Sequence, residues 1–277
     1  MKKLNTSVAL AALASVFMAA PTFAADIAAP PPPPEAIWTA FHIGVGGGGN
    51  FAFANEDPTS YIESQYLPQP EYYIQYGNHS GDLGAADFFG TVEAGFDYQL
   101  GSSIVAGILA NYDFGKAKMN NKSEADEYYT PNNGEDWEYY SNGKFETQYE
   151  VGDSWAIGGR LGFLAMDNAL LYVTGGYTQA RIKLESTLES YDYPNLYYHT
   201  SDSGWEDGWF VGGGIEALLT DIISLIAEYR YNDYGKVKNN NEDYPDTETT
   251  YYANNHQEAD ITVHSVRAVL SYRFGLF

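Results

Sequence analysis

The chain alternates between apolar and polar positions with a period of two, and helical spacing is poor throughout. In the first such segment, Phe41 to Phe53, the residues Phe41, Ile43, Val45, Phe51 and Phe53 share one face. His42, Asn50 and several glycines share the other. The same pattern predicts a second strand from Phe88 to Tyr98, with Thr91, Glu93 and Asp97 opposite its apolar face. A third follows the turn at Gln99–Ser102; it sets Ile104, Ile108, Tyr112 and Phe114 against Asn111 and Asp113. Five more predicted strands follow. Trp155, Ile157, Leu161 and Phe163 oppose Arg160 in the fourth, and Leu171, Val173 and Tyr177 line the fifth. Trp209, Val211 and Ile215 oppose Glu216, and Leu225, Tyr229 and Tyr231 oppose Glu228 and Arg230. Val266, Leu270, Tyr272 and Phe274 oppose Arg267 and Arg273 in the eighth.

Each predicted strand is about as long as a tilted membrane strand requires, roughly 9–11 residues. Three tight turns alternate with four long connections, near Ala54–Asp87, Gly115–Asp153, Arg181–Asp207 and Asp233–Asp260. Short turns at one rim and long loops at the other are the layout of a transmembrane β-barrel. A soluble sandwich would alternate too, but here the face opposite the apolar one carries charges, and so wide an apolar face would aggregate in water. The expected fold is all-β: an antiparallel barrel of eight strands, closed because backbone groups in lipid must all be paired. Segments such as Glu71–Gly77 and Lys144–Val151 would either lengthen strands above the membrane or add a hairpin to make ten.

Composition adds the route. Lys2 and Lys3, an apolar run from Val8 to Ala20, and Thr22-Phe23-Ala24 read as a signal peptide over residues 1–24. Residues 25–36, with consecutive prolines from Pro30 to Pro34, read as an extended periplasmic leader, and residues 37–277 as the barrel. Mean hydropathy is only −0.35, which suits a barrel, since every second strand residue faces away from lipid. Losing Lys2 and Lys3 takes the formal charge from −23 to −25 (−23 − 2), so a nucleic-acid role is excluded. The absence of cysteine excludes disulfides, thiolate metal sites and a cysteine nucleophile.

The final predicted strand reads His264-Ser-Val-Arg-Ala-Val-Leu-Ser-Tyr-Arg-Phe274, and the preceding one Ile226-Ala-Glu-Tyr-Arg-Tyr-Asn-Asp-Tyr-Gly235. With Trp38-Thr-Ala-Phe-His-Ile-Gly44, these segments resemble the opacity-type porin family, small outer-membrane β-barrel surface proteins of alphaproteobacteria. The resemblance covers the strands, about half the mature chain. It implies a Gram-negative outer-membrane location and a surface or envelope-integrity role, without a defined substrate. It also implies that a terminal aromatic, Phe274 or Phe277, is read by the barrel-assembly machinery. Surrounding partners are outer-membrane lipid and lipopolysaccharide, and the expected state is a monomer.

Among candidate sites, Gly44-Val45-Gly46-Gly47-Gly48-Gly49 satisfies G-x-G-x-x-G but continues as a strand, so it is close packing rather than a nucleotide loop. Six inward charges, Glu93, Arg160, Glu216, Glu228, Arg230 and Arg267, balance three against three near mid-height and form a candidate network that plugs a narrow barrel. The alternative is a charged constriction in a narrow porin-type channel. His79, His199 and His256 on separate long connections are candidates for capture of haemin or another ligand; solvated loop histidines are the commoner case. No resident cofactor or metal is expected, and no catalytic constellation is found. Most acids of the chain lie in the long connections beside tyrosine pairs such as Tyr72-Tyr73, Tyr128-Tyr129 and Tyr251-Tyr252. Tyrosine supplies rigid amphipathic contact area. The function expected is therefore a surface protein with a structural or adhesin-like role toward a host or neighbouring cell surface.

Overall fold

A computed structural model describes residues 38–56, 61–66, 73–76, 81–127, 141–190, 197–243 and 251–275. The segments read as signal peptide and leader, with His79 and Phe277, lie outside the described residues. Every described element is a strand: β1 Ala40–Glu56, β2 Tyr61–Tyr66, β3 Tyr73–Tyr76, β4 Asp82–Leu100, β5 Ile104–Gly115, β6 Ala117–Glu127, β7 Ser141–Met166, β8 Ala169–Ser190, β9 Tyr197–Leu218, β10 Ile223–Asp243 and β11 Tyr251–Gly275.

Eight of them form a ring in the order β1-β4-β5-β7-β8-β9-β10-β11, closed by antiparallel pairing of β11 with β1. Following the ladder from Asp97 through Gly107, Arg160, Thr174, Gly212, Arg230, Ser265 and Asn50 returns to β4 at Asp87. The circuit thus gains ten residues (97 − 87). With eight strands about 4.8 Å apart and about 3.3 Å per residue, that stagger tilts the strands by roughly 40°. From Ile104 to Phe114 the outward apolar residues of β5 span ten steps, about 33 Å along the strand and roughly 25 Å of height, the thickness of a membrane barrel's apolar band. Phe41, Ile108, Leu161, Val173 and Leu270 stand exposed on this band. Aromatic pairs edge it: Phe41 with Phe96 and Tyr272 with Phe274 at the tight-turn end, Trp155 with Tyr177 and Trp209 with Tyr231 at the other.

The long connections are not plain loops. β7, β8, β10 and β11 run for 26, 22, 21 and 25 residues, far beyond the 9–11 expected. β2 continues β1 along β11, β3 pairs with β2, and β6 continues β5 along β7. Tyr73–Tyr76, the described part of Glu71–Gly77, and Lys144–Val151 therefore fall on strands that rise above the ring, and among the described residues no hairpin enters it. The reason lies in alternation that persists with its polarity reversed. Lys116, Lys118, Glu146 and Glu150 face outward, while Ala117, Met119, Tyr149 and Val151 are buried. Those four join Ile182, Leu184, Tyr234, Val237, Ile261 and neighbours in one apolar cluster.

Pairing in this upper part is incomplete. The β4–β5 ladder begins only at Phe89–Gly115, and β9–β10 pairing stops at Trp209–Asp233. Meanwhile β8–β9 continues to Glu189–Tyr197 and β10–β11 to Asp243–Ala253. Above the band the wall thus parts into two sheets, β6-β7-β8-β9 and the rest, which share the apolar cluster between them. A register shift between Asp233 and Lys236, with Gly235 at φ 63°, marks where β10 leaves β9.

Candidate functional site

The barrel interior carries the densest polar chemistry among the described residues. Its base is apolar: Trp38, Val105, Leu170, Tyr172, Ile226 and Val269 are buried together. Trp38 is tied to the turn side, its indole Nε1 donating to the Asp167 carbonyl (3.1 Å) and its amide to Gln99 Oε1 (3.0 Å).

Two charged tiers stand above that base. In the lower, Arg160 Nε donates to Asp97 Oδ1 (2.7 Å), and Arg160 Nη2 reaches both Asp97 Oδ2 and Glu216 Oε2, the latter at 2.9 Å. Arg273 Nη1 donates to Glu216 Oε1 (2.7 Å) and Nη2 to the Trp38 carbonyl (2.8 Å), with its guanidinium 4.9 Å from the Trp38 ring centre. His42, fully buried, has Nε2 3.8 Å from Asp97 Oδ2 and no hydrogen bond to either ring nitrogen. In the upper tier, Arg230 donates to Glu228 Oε1 (2.9 Å from Nε) and to Asn111 Oδ1 (2.8 Å), and lies over Phe210. Arg267 Nη2 donates to Asp113 Oδ2 (2.9 Å), Thr91 Oγ1 donates to Asp113 Oδ1 (2.5 Å), and Tyr172 donates to Glu228 Oε2 (2.9 Å).

Five of the six residues singled out from the sequence thus meet in ion pairs; Glu93 makes none. Asp97, Asp113 and Arg273, read as inward but left out of the network, complete it, so each tier has two guanidiniums and two carboxylates. Alternation shows which way a side chain points but not its height, and the tilt sets height. Asp97 and Arg160 face each other across Gly107 only because the stagger aligns them.

Missing side chains make the room. A Cβ at Gly107 would stand 2.8 Å from the Phe96 carbonyl and 3.3 Å from Arg160 Cγ, and one at Gly95 would stand 2.6 Å from His42 Cε1. Glycine at these inward positions is therefore a packing requirement of the charges beside it.

Of the candidate ligand histidines, two lie on described strands. His199 on β9 sits 3.1 Å from Thr187 Oγ1, His256 lies on β11 opposite Tyr61, and His79 is outside the described residues. No group of three His, Cys, Asp or Glu side chains able to hold a metal occurs among the described residues. Phe274 is exposed on the lipid face at the foot of β11.

A model of the outer membrane protein beta-barrel domain matches residues 9–274. The chain belongs to that family. It is similar to the 31 kDa outer-membrane immunogenic protein of Brucella melitensis, 28% identical over 97% of this chain and 99% of that one. It is also 27% identical to a 22 kDa outer membrane protein of Rhizobium leguminosarum bv. viciae, over 57% of this chain and 58% of the other. Among solved structures it is similar to the Escherichia coli outer membrane protease OmpT (TM-score 0.42, 11% identity, 85% and 97% covered) and to OprG of Pseudomonas aeruginosa (TM-score 0.36, 12% identity, 87% and 99% covered). This member of the family is a β-barrel of the Gram-negative outer membrane, with tight turns at one rim and long strand extensions at the other.

Proposed function

We propose that this outer-membrane barrel is a closed surface-display protein, whose extended acidic rim makes contact with a host or neighbouring cell and whose lumen is a structural plug. The observation that carries the reading is the filling of the interior along its height: apolar base, two neutralised charge tiers, then the upper apolar cluster. A barrel of eight strands has an interior that side chains just fill. The strand-paired extension lifts the rim above the membrane band, and relatives named as immunogenic proteins agree with display at the surface. Within the family we place the chain with the opacity-type porins, on the segments Ile226–Gly235 and His264–Phe274. A terminal aromatic, Phe274 or Phe277, is then what the assembly machinery reads; Phe274 stands on the lipid face.

Planar bilayers test the closed lumen: pure monomer should give no steady unitary current, and reproducible conductance would make the narrow-channel reading the better one. The contact role is tested with outer-membrane vesicles on a polylysine-coated surface. Vesicles bearing the protein should be retained above vesicles lacking it, and protease shaving of the rim should remove the difference. Equal retention with and without the protein would rule the contact role out.

A further inference from the structure

Charge outside the lumen is sorted by height. Lys2 and Lys3 precede the barrel, and Arg160, Arg230, Arg267 and Arg273 fill the lumen tiers. Every other cation of the chain, Arg181 and the remaining lysines, lies on the upper part of β6, β7, β8 and β10 or at Lys116 between β5 and β6. The connections beyond these strands contain no lysine or arginine, against acids such as Glu135, Asp136 and Glu138. A collar of cations therefore separates acidic connections from the membrane band.

The collar reaches lowest on the outer face of β6, β7 and β8. Lys116 follows Phe114 by two residues and Arg181 follows Tyr177 by four, and both aromatics belong to the upper girdle. A tilted strand gains roughly 2.5 Å of height per residue, so these cations stand about 5–10 Å above the girdle, with Lys118 and Lys183 about 5 Å higher. A bilayer of about 40–45 Å around a hydrocarbon core of about 30 Å leaves headgroup layers roughly 5–8 Å deep. The four cations thus start at the headgroups and continue just above them.

Their pairing is incomplete. Lys116 Nζ (3.4 Å) and Lys118 Nζ (3.1 Å) share one carboxylate, Glu150, and remain 70% and 51% exposed. Arg181 is exposed and has no ion pair among the described residues. The acids at girdle height on β7 and β9, Asp153 and Asp207, each accept a tyrosine hydroxyl, from Tyr112 and Tyr177. Lys183, which pairs with Glu185, stands across Glu150 from Lys118, so the two backbones are about 10 Å apart. Trp205, half-exposed, lies opposite Arg181.

We infer that Lys116, Lys118, Arg181 and Lys183 bind the phosphorylated sugar headgroup of an outer-leaflet glycolipid. Arg181, with its planar fork, takes a phosphate in bidentate fashion, and Lys116 and Lys118 add point charges to the same group. Lys183 reaches the far end of the headgroup across Glu150. The acyl chains lie on the outward apolar residues below, Ile157, Leu161 and Val173. The acidic chain as a whole repels anions, so a local surplus of cations is what holds one. The site is on the wall and is independent of what the rim contacts.

The test titrates the full chain in detergent, with EDTA present, with diphosphoryl lipid A, and reads binding by microscale thermophoresis. The protein should bind this lipid and bind its dephosphorylated form far more weakly. The pair Lys118→Gln and Arg181→Gln should weaken binding by about tenfold, which corresponds to about 1.4 kcal/mol. Lys122→Gln with Lys144→Gln, the same charge change higher on the extension, should leave it unchanged. A heat-dependent gel shift verifies that both variants are folded. Equal binding of the dephosphorylated lipid overturns the inference, since acyl chains alone would account for it. Full displacement by inorganic phosphate overturns it in favour of a site for the free ion. Binding that appears only when magnesium replaces EDTA overturns it too, because metal-bridged acids would then hold the lipid. Unchanged affinity in the Lys118/Arg181 variant, or equal loss in both variants, leaves no site at these residues.

Discussion

At Gly107 the absence of a side chain is what lets Arg160 lie against Asp97, so the smallest change in the barrel has a structural consequence. Gly107→Ala would press a methyl on the Phe96 carbonyl and Arg160 Cγ, an overpacking that costs typically about 1–3 kcal/mol. Gly49→Ala meets only the Asp87 carbonyl, at 3.9 Å, and should move stability by less than about 0.5 kcal/mol. Urea titration of both variants in one detergent checks the contrast. Arg160→Ala leaves Asp97 and Glu216 with Arg273 as their remaining cation, and uncovering a buried charge costs about 3–5 kcal/mol. Lys183→Ala, on a half-exposed pair with Glu185, is the control outside the tiers and should change the midpoint little. If the two substitutions lower the midpoint alike, the tiers are solvated rather than buried, and the plug fails with them. Asp97 and Asp113 were legible as inward residues from alternation alone. Their pairing with Arg160 and Arg267 was not, because a partner is fixed by strand stagger, which no local pattern encodes.

The segments Lys116–Lys122 and Arg181–Glu185 keep a period of two, yet they read as parts of long connections because acids and lysines dominate them, whereas Lys144–Val151 already reads as a strand extension or an added hairpin. In the membrane band, charge points in and apolar side chains point out; above it the assignment reverses, and a reader who carries one polarity rule along the whole strand loses the upper half. The reversed outer face is held by cross-strand pairs: Lys116 and Lys118 with Glu150, Lys122 and Lys144 with Glu146, Lys236 and Lys238 with Glu258. Hydrogen bonds from Lys122 and Lys144 hold the Glu146 carboxyl below its ordinary value of 4.5, and a hydrogen bond from Lys238 does the same for Glu258. A folded-state pKa below the unfolded one stabilises above the ordinary value and is lost as pH falls through the lowered one. The expected result is local: between pH 7 and pH 3, amides of β6 and the upper part of β7 gain hydrogen-exchange rate, corrected for intrinsic chemistry, while those of β5 in the membrane band do not. Uniform protection at both pH values would show that the apolar cluster alone holds the extension.

At the scale of the whole molecule, the two polarities explain one another. Lipid takes the apolar outer face of the band, so the lumen there is free to hold charge, provided every charge is matched. Water takes the outer face above, so the lumen there is mainly apolar, with the few buried polar groups such as Ser186 and Gln257 hydrogen-bonded to each other, and the wall can part into two sheets because a shared core and not the ladder alone binds them. Closure therefore has three independent layers: the Trp38 base, the charge tiers and the upper cluster. Removing one should leave the other two in the way. Arg160→Ala is expected to be less stable yet still non-conducting in planar bilayers. Combining Arg160→Ala with Leu170→Ala in the base and Tyr149→Ala in the upper cluster removes a large side chain from each layer, and that triple variant should show unitary current if it inserts. Insertion is checked independently by the heat-dependent gel shift, so a silent bilayer is not mistaken for a closed one. Current through Arg160→Ala alone would mean that the charge tiers by themselves are the seal and that the apolar layers leak. A folded triple variant without current would place the obstruction elsewhere, in residues that none of the three layers contains.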